Sequence, residues 1–209
     1  MQDDKYKKEP LDFGNYYHIY NRGNNGIDIF FDNENYDYFL KLYHQYIHPI
    51  AETFAWCLMK NHFHFLVYIR NEKEVLIDSL EYSTVDNPRV IDPSKQFGHL
   101  FNAYTQAINK KHSRTGSLFE KPFERKRVTS EKYLKNLIYY IHNNPVHHGF
   151  TKTIIEYPWS SYGSILSDMP TKLKRDDVIE IYESKENFID YHSEEQDLET
   201  IFDLIIDRN

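Results

Sequence analysis

Two histidines stand one residue apart in Lys60-Asn61-His62-Phe63-His64-Phe65-Leu66-Val67, a run apolar enough to read as a buried strand. Side chains at i and i+2 of a strand share a face, so His62 and His64 aim together while Phe63 and Phe65 pack on the other side. Two imidazoles on one face can supply two ligands to one divalent metal. They can equally be two polar residues on a half-exposed sheet, in a chain with eleven histidines. A second group lies in Leu137-Ile138-Tyr139-Tyr140-Ile141-His142-Asn143-Asn144, where Tyr140 and Asn144 are one helical turn apart and therefore neighbours. A phenol is a poor nucleophile at its ordinary pKa of about 10. A divalent cation on a phosphate would ease departure of the leaving oxygen. Two histidines and one amide oxygen would hold such a cation with positions open for that phosphate. Taken singly, Tyr140 is one of 18 tyrosines, and Asn144 is a helix-terminal Asn before Pro145, a common structural arrangement.

The elements that must position these groups follow from periodicity. Asn15 to Asn21 alternates aromatic and polar residues, as a half-buried strand does. Tyr36, Phe39, Leu40, Tyr43 and Ile47 recur at helical spacing, predicting a helix from Asn35 to His48 that ends at Pro49. Thr53 to Met59 and His62 to Ile69 are apolar runs joined by Lys60-Asn61, a hairpin. Residues 71–94 read mostly as connection, with a short helix near Lys73 to Ser79. Phe97, Leu100, Phe101, Tyr104 and Ile108 mark a helix from Gln96 to His112. Ser117 to Val128 reads as extended, and Thr129 or Ser130 caps a helix from Glu131 to about Asn143 that stops against Pro145. Tyr157 to Tyr162 is an aromatic turn. The order predicts an α+β fold, a ferredoxin-like (RRM-like) βαββαβ sandwich with both helices on one face of an antiparallel sheet. The other face would stay open, and it is the one that His62 and His64 would occupy. Two units are expected: a domain over residues 1–168 and an acidic, helical C-terminal extension over 169–209.

Charge is unevenly spread. The net charge is −7, and residues 171–209 carry all of it, with five Lys or Arg against twelve Asp or Glu. Between Lys110 and Lys135 nine cations face three carboxylates, interleaved with Phe119, Phe123 and Tyr133. Local charge, not the total, sets the field at a groove. A basic run of this kind is either a solvated face or a nucleic-acid surface; aromatic residues among the cations suit the second. The candidate phosphate contacts are Lys110, Lys111, Arg114, Lys121, Arg125, Lys126 and Arg127. The acidic extension repeats Leu198, Ile201, Phe202 and Ile205 at helical spacing, so it must bury a stripe. It either docks on the domain or lies near the basic run as an electrostatic brake. The single Cys57 excludes a disulfide framework and a cysteine-based zinc site. With a charged first ten residues and no apolar run of membrane length, the expectation is a cytoplasmic protein without membrane contact.

Five motifs occur in order over roughly Asn15 to Tyr162: NYYHIYNRGN, CLMKNHFHFLV, RTGSLFEKPFERKRV, YLKNLIYYIHNNPVHHGF and YPWSSY. Together they resemble the single-tyrosine HUH transposases of the REP-associated tyrosine transposase branch. The resemblance implies a divalent-metal-dependent (Mg2+ or Mn2+) nuclease and strand transferase acting on single-stranded or hairpin DNA of repeated palindromes, as a monomer or homodimer. By motif, it makes His62 and His64 metal ligands and Asn144 the third, helix-borne ligand. Tyr140 becomes the nucleophile that forms a 5′-phosphotyrosine and releases a 3′-OH. The competing expectation is a non-catalytic or domesticated nucleic-acid-binding module of the same fold.

Overall fold

A computed structural model describes residues 9–75, 91–120 and 122–198. Strand β1 (Asn15–Arg22) leads to helix α1 (Asn33–Tyr46), then to the hairpin of β2 (Ala51–Met59) and β3 (His62–Ile69). Helix α2 (Pro93–Lys111), strand β4 (Glu124–Arg127) and helix α3 (Glu131–His147) follow. Shorter helices α4 (Tyr162–Leu166), α5 (Arg175–Ile181) and α6 (Lys185–Ser193) complete the described chain. The strands form an antiparallel sheet in the order β2-β3-β1-β4. This is the α+β sandwich that the order of elements predicts. Among the described residues no helix is long and apolar enough to cross a membrane.

The abundant aromatics build the layer between α1, α2 and the sheet. Phe63 and Phe65 of β3 meet Phe39 of α1 and Phe97, Phe101 and Tyr104 of α2 in one buried cluster. Phe39 sits 5.4 Å from Phe63 and edge-on to Tyr104 at 5.0 Å between ring centroids. Edge-on and offset contacts of this kind add to simple area burial.

The opposite face is not open. There α3 places Leu137, Ile138 and Ile141 on Ala55, Cys57 and Leu66, and Val178, Tyr182 and Phe188 from α5 and α6 join the same cluster. The physical reason is in β2 and β3 themselves. On this second face β2 presents Ala55 and Cys57 and β3 presents Leu66, and apolar residues on both faces of a sheet need a layer on each side.

Several boundaries differ from expectation. Helix α2 begins at Pro93 rather than Gln96, because Asp92 caps it, accepting from the N–H of Ser94 at 2.9 Å, and Pro93 fits the first helical position. Helix α3 runs through Pro145 to His147. Its stop is Gly149, at φ +71°. The N–H of Phe150 bonds the carbonyl of Pro145 at 2.8 Å and that of Gly149 bonds Val146 at 3.0 Å, the closing pair of a left-handed helix cap. Strand β4 holds four residues, not the whole of Ser117 to Val128, because Leu118 and Phe119 turn inward and are buried. Near Lys73 only a short 3-10 turn, Glu72–Glu74, forms, and residues 76–90 lie outside the described residues.

The C-terminal extension docks through a chain of buried hydrogen bonds whose directions are fixed from one end. His192 Nδ1 must donate to the Phe188 carbonyl oxygen at 2.8 Å, so its Nε2 accepts from His142 Nδ1 at 2.9 Å. His142 Nε2 then accepts from the Ser161 hydroxyl at 2.8 Å, while Ser161 Oγ accepts from the Trp56 N–H at 2.9 Å. The relay ties α6 to α3, to the Ser160-Ser161 turn and to β2, and burial favours the neutral form of both rings. Leu198 packs against the same cluster, whereas Ile201, Phe202 and Ile205 lie outside the described residues.

Burial pushes the His192 imidazole down to about 4 and His142 well below 6.5. Depressed values in the folded state mean that the unfolded chain takes up protons first. Stability is therefore full above pH 6.5 and lost as pH falls toward 4. For His192 alone the loss approaches about 3 kcal/mol by pH 4. Urea midpoints should fall steeply between pH 6.5 and 4, and His192→Gln should flatten that decline; an unaltered decline would contradict the neutral relay.

Candidate active site

The site is built where β3 meets α3. His62 and His64 are both buried and share a face, with ring centroids 5.3 Å apart and planes at 87°. Each is anchored through Nδ1. For His62 the partner is the Asn61 side-chain oxygen at 2.7 Å, which can only accept from the ring. For His64 it is Nε2 of His18 on β1, at 2.9 Å. Two Nδ1 anchors leave Nε2 of each ring as the atom for a ligand. His64 Nε2 is buried without a hydrogen-bond partner among the described residues.

Helix α3 lays Tyr140 edge-on over His64, 5.4 Å between centroids at 81°, and 6.2 Å from His18. Tyr139, next in the chain, points elsewhere: it lies against Tyr191 and His192 of α6. One turn beyond Tyr140, the Asn144 amide donates Nδ2 to the Tyr140 carbonyl oxygen at 2.8 Å. That bond fixes which end of the amide is oxygen, and Oδ1 is buried with no hydrogen-bond partner among the described residues. The structure thus brings together His62, His64 and Tyr140, with Asn144 one turn further along α3.

Neutral imidazoles bind metals; imidazolium ions do not. Burial, then the nearby His18, His62 and His148, holds His64 well below its ordinary value. Burial and the charge of Lys126 push His18 down to about 3. A buried amide oxygen and a buried ring nitrogen, both without a hydrogen-bond partner among the described residues, suit a divalent cation. Among the described residues no group of three or more His, Cys, Asp or Glu forms a metal cage; the candidate set has two histidines and an amide, which leaves positions for substrate.

The basic residues do not form one surface. Lys110 is exposed at the end of α2, and Lys111 is held by Asp32 and Glu34 at 2.9 Å each. The Arg114 guanidinium reaches Asn109 at 3.5 Å. In β4 the cations alternate. Arg125 donates to Ser94 Oγ at 2.6 Å and stacks on Phe123 at 4.0 Å, on the α2 side. Arg127 bonds the Asn15 side chain. Lys126 alone of the three stands opposite His18, on the face of the site. Lys121 lies outside the described residues.

Three neighbours escape the sequence reading. His18 is one; Arg22, opposite His62 in the β1–β3 register and 3.7 Å from Glu120, is another. His148, just past α3, lies 5.0 Å from His62. Their only signal was membership of the NYYHIYNRGN and VHHG segments, since the strand register that brings β1 beside β3 is not written locally.

The fold and this constellation define a ferredoxin-like sheet carrying paired histidines beneath a helix-borne tyrosine and asparagine. No family model matches the chain. The resemblance read from the motifs is nonetheless borne out: the chain is 25% identical over 116 residues to a Haemophilus influenzae protein described by name as a REP-associated tyrosine transposase. The match covers 55% of this chain and 61% of that relative, less than two thirds of its length. Among solved structures, a REP-associated tyrosine transposase bound to a REP hairpin shares the fold, with a TM-score of 0.57 and 16% identity over 80% of this chain and 89% of the other. A bacterial tRNA(His) guanylyltransferase-like protein in complex with GTP aligns with a TM-score of 0.42 and 8% identity over 68% of this chain and 67% of its own, too low to bear on function.

Proposed function

We propose that the chain is a divalent-metal-dependent endonuclease and strand transferase for single-stranded or hairpin DNA, acting in the cytoplasm through a 5′-phosphotyrosine. The observation that carries this reading is the placement of Tyr140 edge-on to His64, with Asn144 Oδ1, which has no hydrogen-bond partner among the described residues, one turn away. His62 and His64 through Nε2, and Asn144 through Oδ1, are the groups that would hold Mg2+ or Mn2+. When bound, the cation would withdraw charge from the scissile phosphate and ease loss of the leaving oxygen. Tyr140 Oη forms the new bond to phosphorus and gives up its proton to solvent; the bond to the 3′ oxygen breaks, and that oxygen takes a proton to become the 3′-OH. Helix α3 holds Tyr140 edge-on against His64.

A hairpin substrate is inferred from the related protein whose structure contains one. Incubation with hairpin DNA should give cleavage only when Mg2+ or Mn2+ is added. Hairpin binding with no cleavage under either cation would favour the binding-module reading instead.

The alternation in β4 sharpens the DNA contact. Lys126→Ala should weaken hairpin binding and lower the salt slope by about one unit, as loss of one phosphate contact does. Arg125→Ala should lower thermal stability and leave the slope alone, because its guanidinium is occupied with Ser94 and Phe123. Equal slopes for the wild type and Lys126→Ala would place the DNA elsewhere.

A further inference from the structure

We propose that His18 is a positioning residue for the metal centre: its Nε2 accepts the Nδ1–H of His64 and holds His64 in the tautomer whose electron pair sits on Nε2. The inference rests on the metal reading above and adds to it a residue from a different strand. His18 and His64 are both fully buried, 2.9 Å apart between ring nitrogens, with planes within 15°. They are diagonal neighbours across β1 and β3, since His18 stands opposite Leu66 and Tyr20 opposite His64. Diagonal pairs on one face lie within reach of each other only for long or aromatic side chains.

The pair has two neutral arrangements. In one, His64 donates to His18; in the other, His18 donates to His64. Among the described residues His18 Nδ1 and His64 Nε2 both lack hydrogen-bond partners, so either arrangement leaves one N–H and one electron pair unsatisfied there. The hydrogen bond alone does not choose between them. A cation at His64 Nε2 does, because it needs the electron pair there, and His18 must then be the acceptor. Partners of this kind fix the ring and tautomer of metal-bound histidines, and their loss typically costs about 10- to 100-fold in metal affinity.

The test compares His18→Phe with His18→Gln. Phe fills the space and cannot accept; the Gln side-chain oxygen reaches the place of Nε2 and can. Mn2+ dissociation constants, read by electron paramagnetic resonance of free Mn2+ in the absence of DNA, should rise about 10- to 100-fold for His18→Phe and only a few-fold for His18→Gln. If Phe binds Mn2+ as well as or better than Gln, His18 is a packing residue and the inference is overturned. If the wild type takes up no Mn2+, the metal centre itself fails, which is a separate result. Should His18→Phe not fold, the wild type decides. Long-range proton–nitrogen NMR of the Zn2+-loaded protein should show His64 protonated at Nδ1, and a proton at Nε2 would overturn the assignment.

Discussion

Tyr140→Phe should abolish the covalent protein–DNA adduct and lower hairpin cleavage by on the order of 10^3-fold or more, with hairpin binding nearly unchanged. The substitution removes one oxygen, the one that would bond to phosphorus, and retains the ring that packs on His18 and His64. Tyr139→Phe is the matched control. Its ring faces Tyr191 and His192 of α6, away from the paired histidines, so cleavage should stay within a few-fold of wild type. Denaturing gels that resolve the adduct, run beside binding curves for both variants, separate chemistry from affinity. A Tyr140→Phe protein that cleaves at the wild-type rate would end the tyrosine mechanism.

The double replacement His62→Ala and His64→Ala has the second large expected effect. Cleavage should fall by on the order of 10^3-fold, and raising Mg2+ or Mn2+ should not restore it, because the remaining Asn144 oxygen cannot hold the cation alone. The variant should also be less stable. Removal of His64 strips His18 of its 2.9 Å partner inside the sheet; a buried polar group left without a partner costs about 1–3 kcal/mol. Cation titrations of cleavage and thermal melts, taken together, distinguish a lost metal from a lost fold. A retained response to Mn2+ in a folded double variant would show that the metal is held elsewhere.

Much of this arrangement was legible because it is local. The i, i+2 spacing of His62 and His64 placed them on one face, and the i, i+4 spacing of Tyr140 and Asn144 set them side by side. Heptad-like spacing of Phe97, Phe101, Tyr104 and Ile108 marked α2 before any contact was known. What was missed depends on pairing across long stretches of chain. His18 meets His64 only because β1 lies between β3 and β4. The sheet face was expected to be open because the simple sandwich has only two helices; Ala55, Cys57 and Leu66, apolar on that face, signalled a further layer, which α3, α5 and α6 supply. The stop at Pro145 was overruled by Gly149, whose left-handed conformation offers a better cap one turn later. The basic run is contiguous in sequence but divided in the fold. The period of two in a strand already separates Lys126 from Arg125 and Arg127, and Lys111 is spoken for by carboxylates far away in sequence.

The most direct test of the tyrosine mechanism is to map the attachment site. Hairpin DNA is incubated with the protein and Mn2+, the mixture is quenched, and the DNA and protein are digested before tandem mass spectrometry. The predicted result is a peptide carrying a nucleotide phosphate on Tyr140, together with a released strand ending in 3′-OH. A strand released with a free 5′-phosphate and no modified peptide, or a phosphate carried by Tyr139, would contradict it.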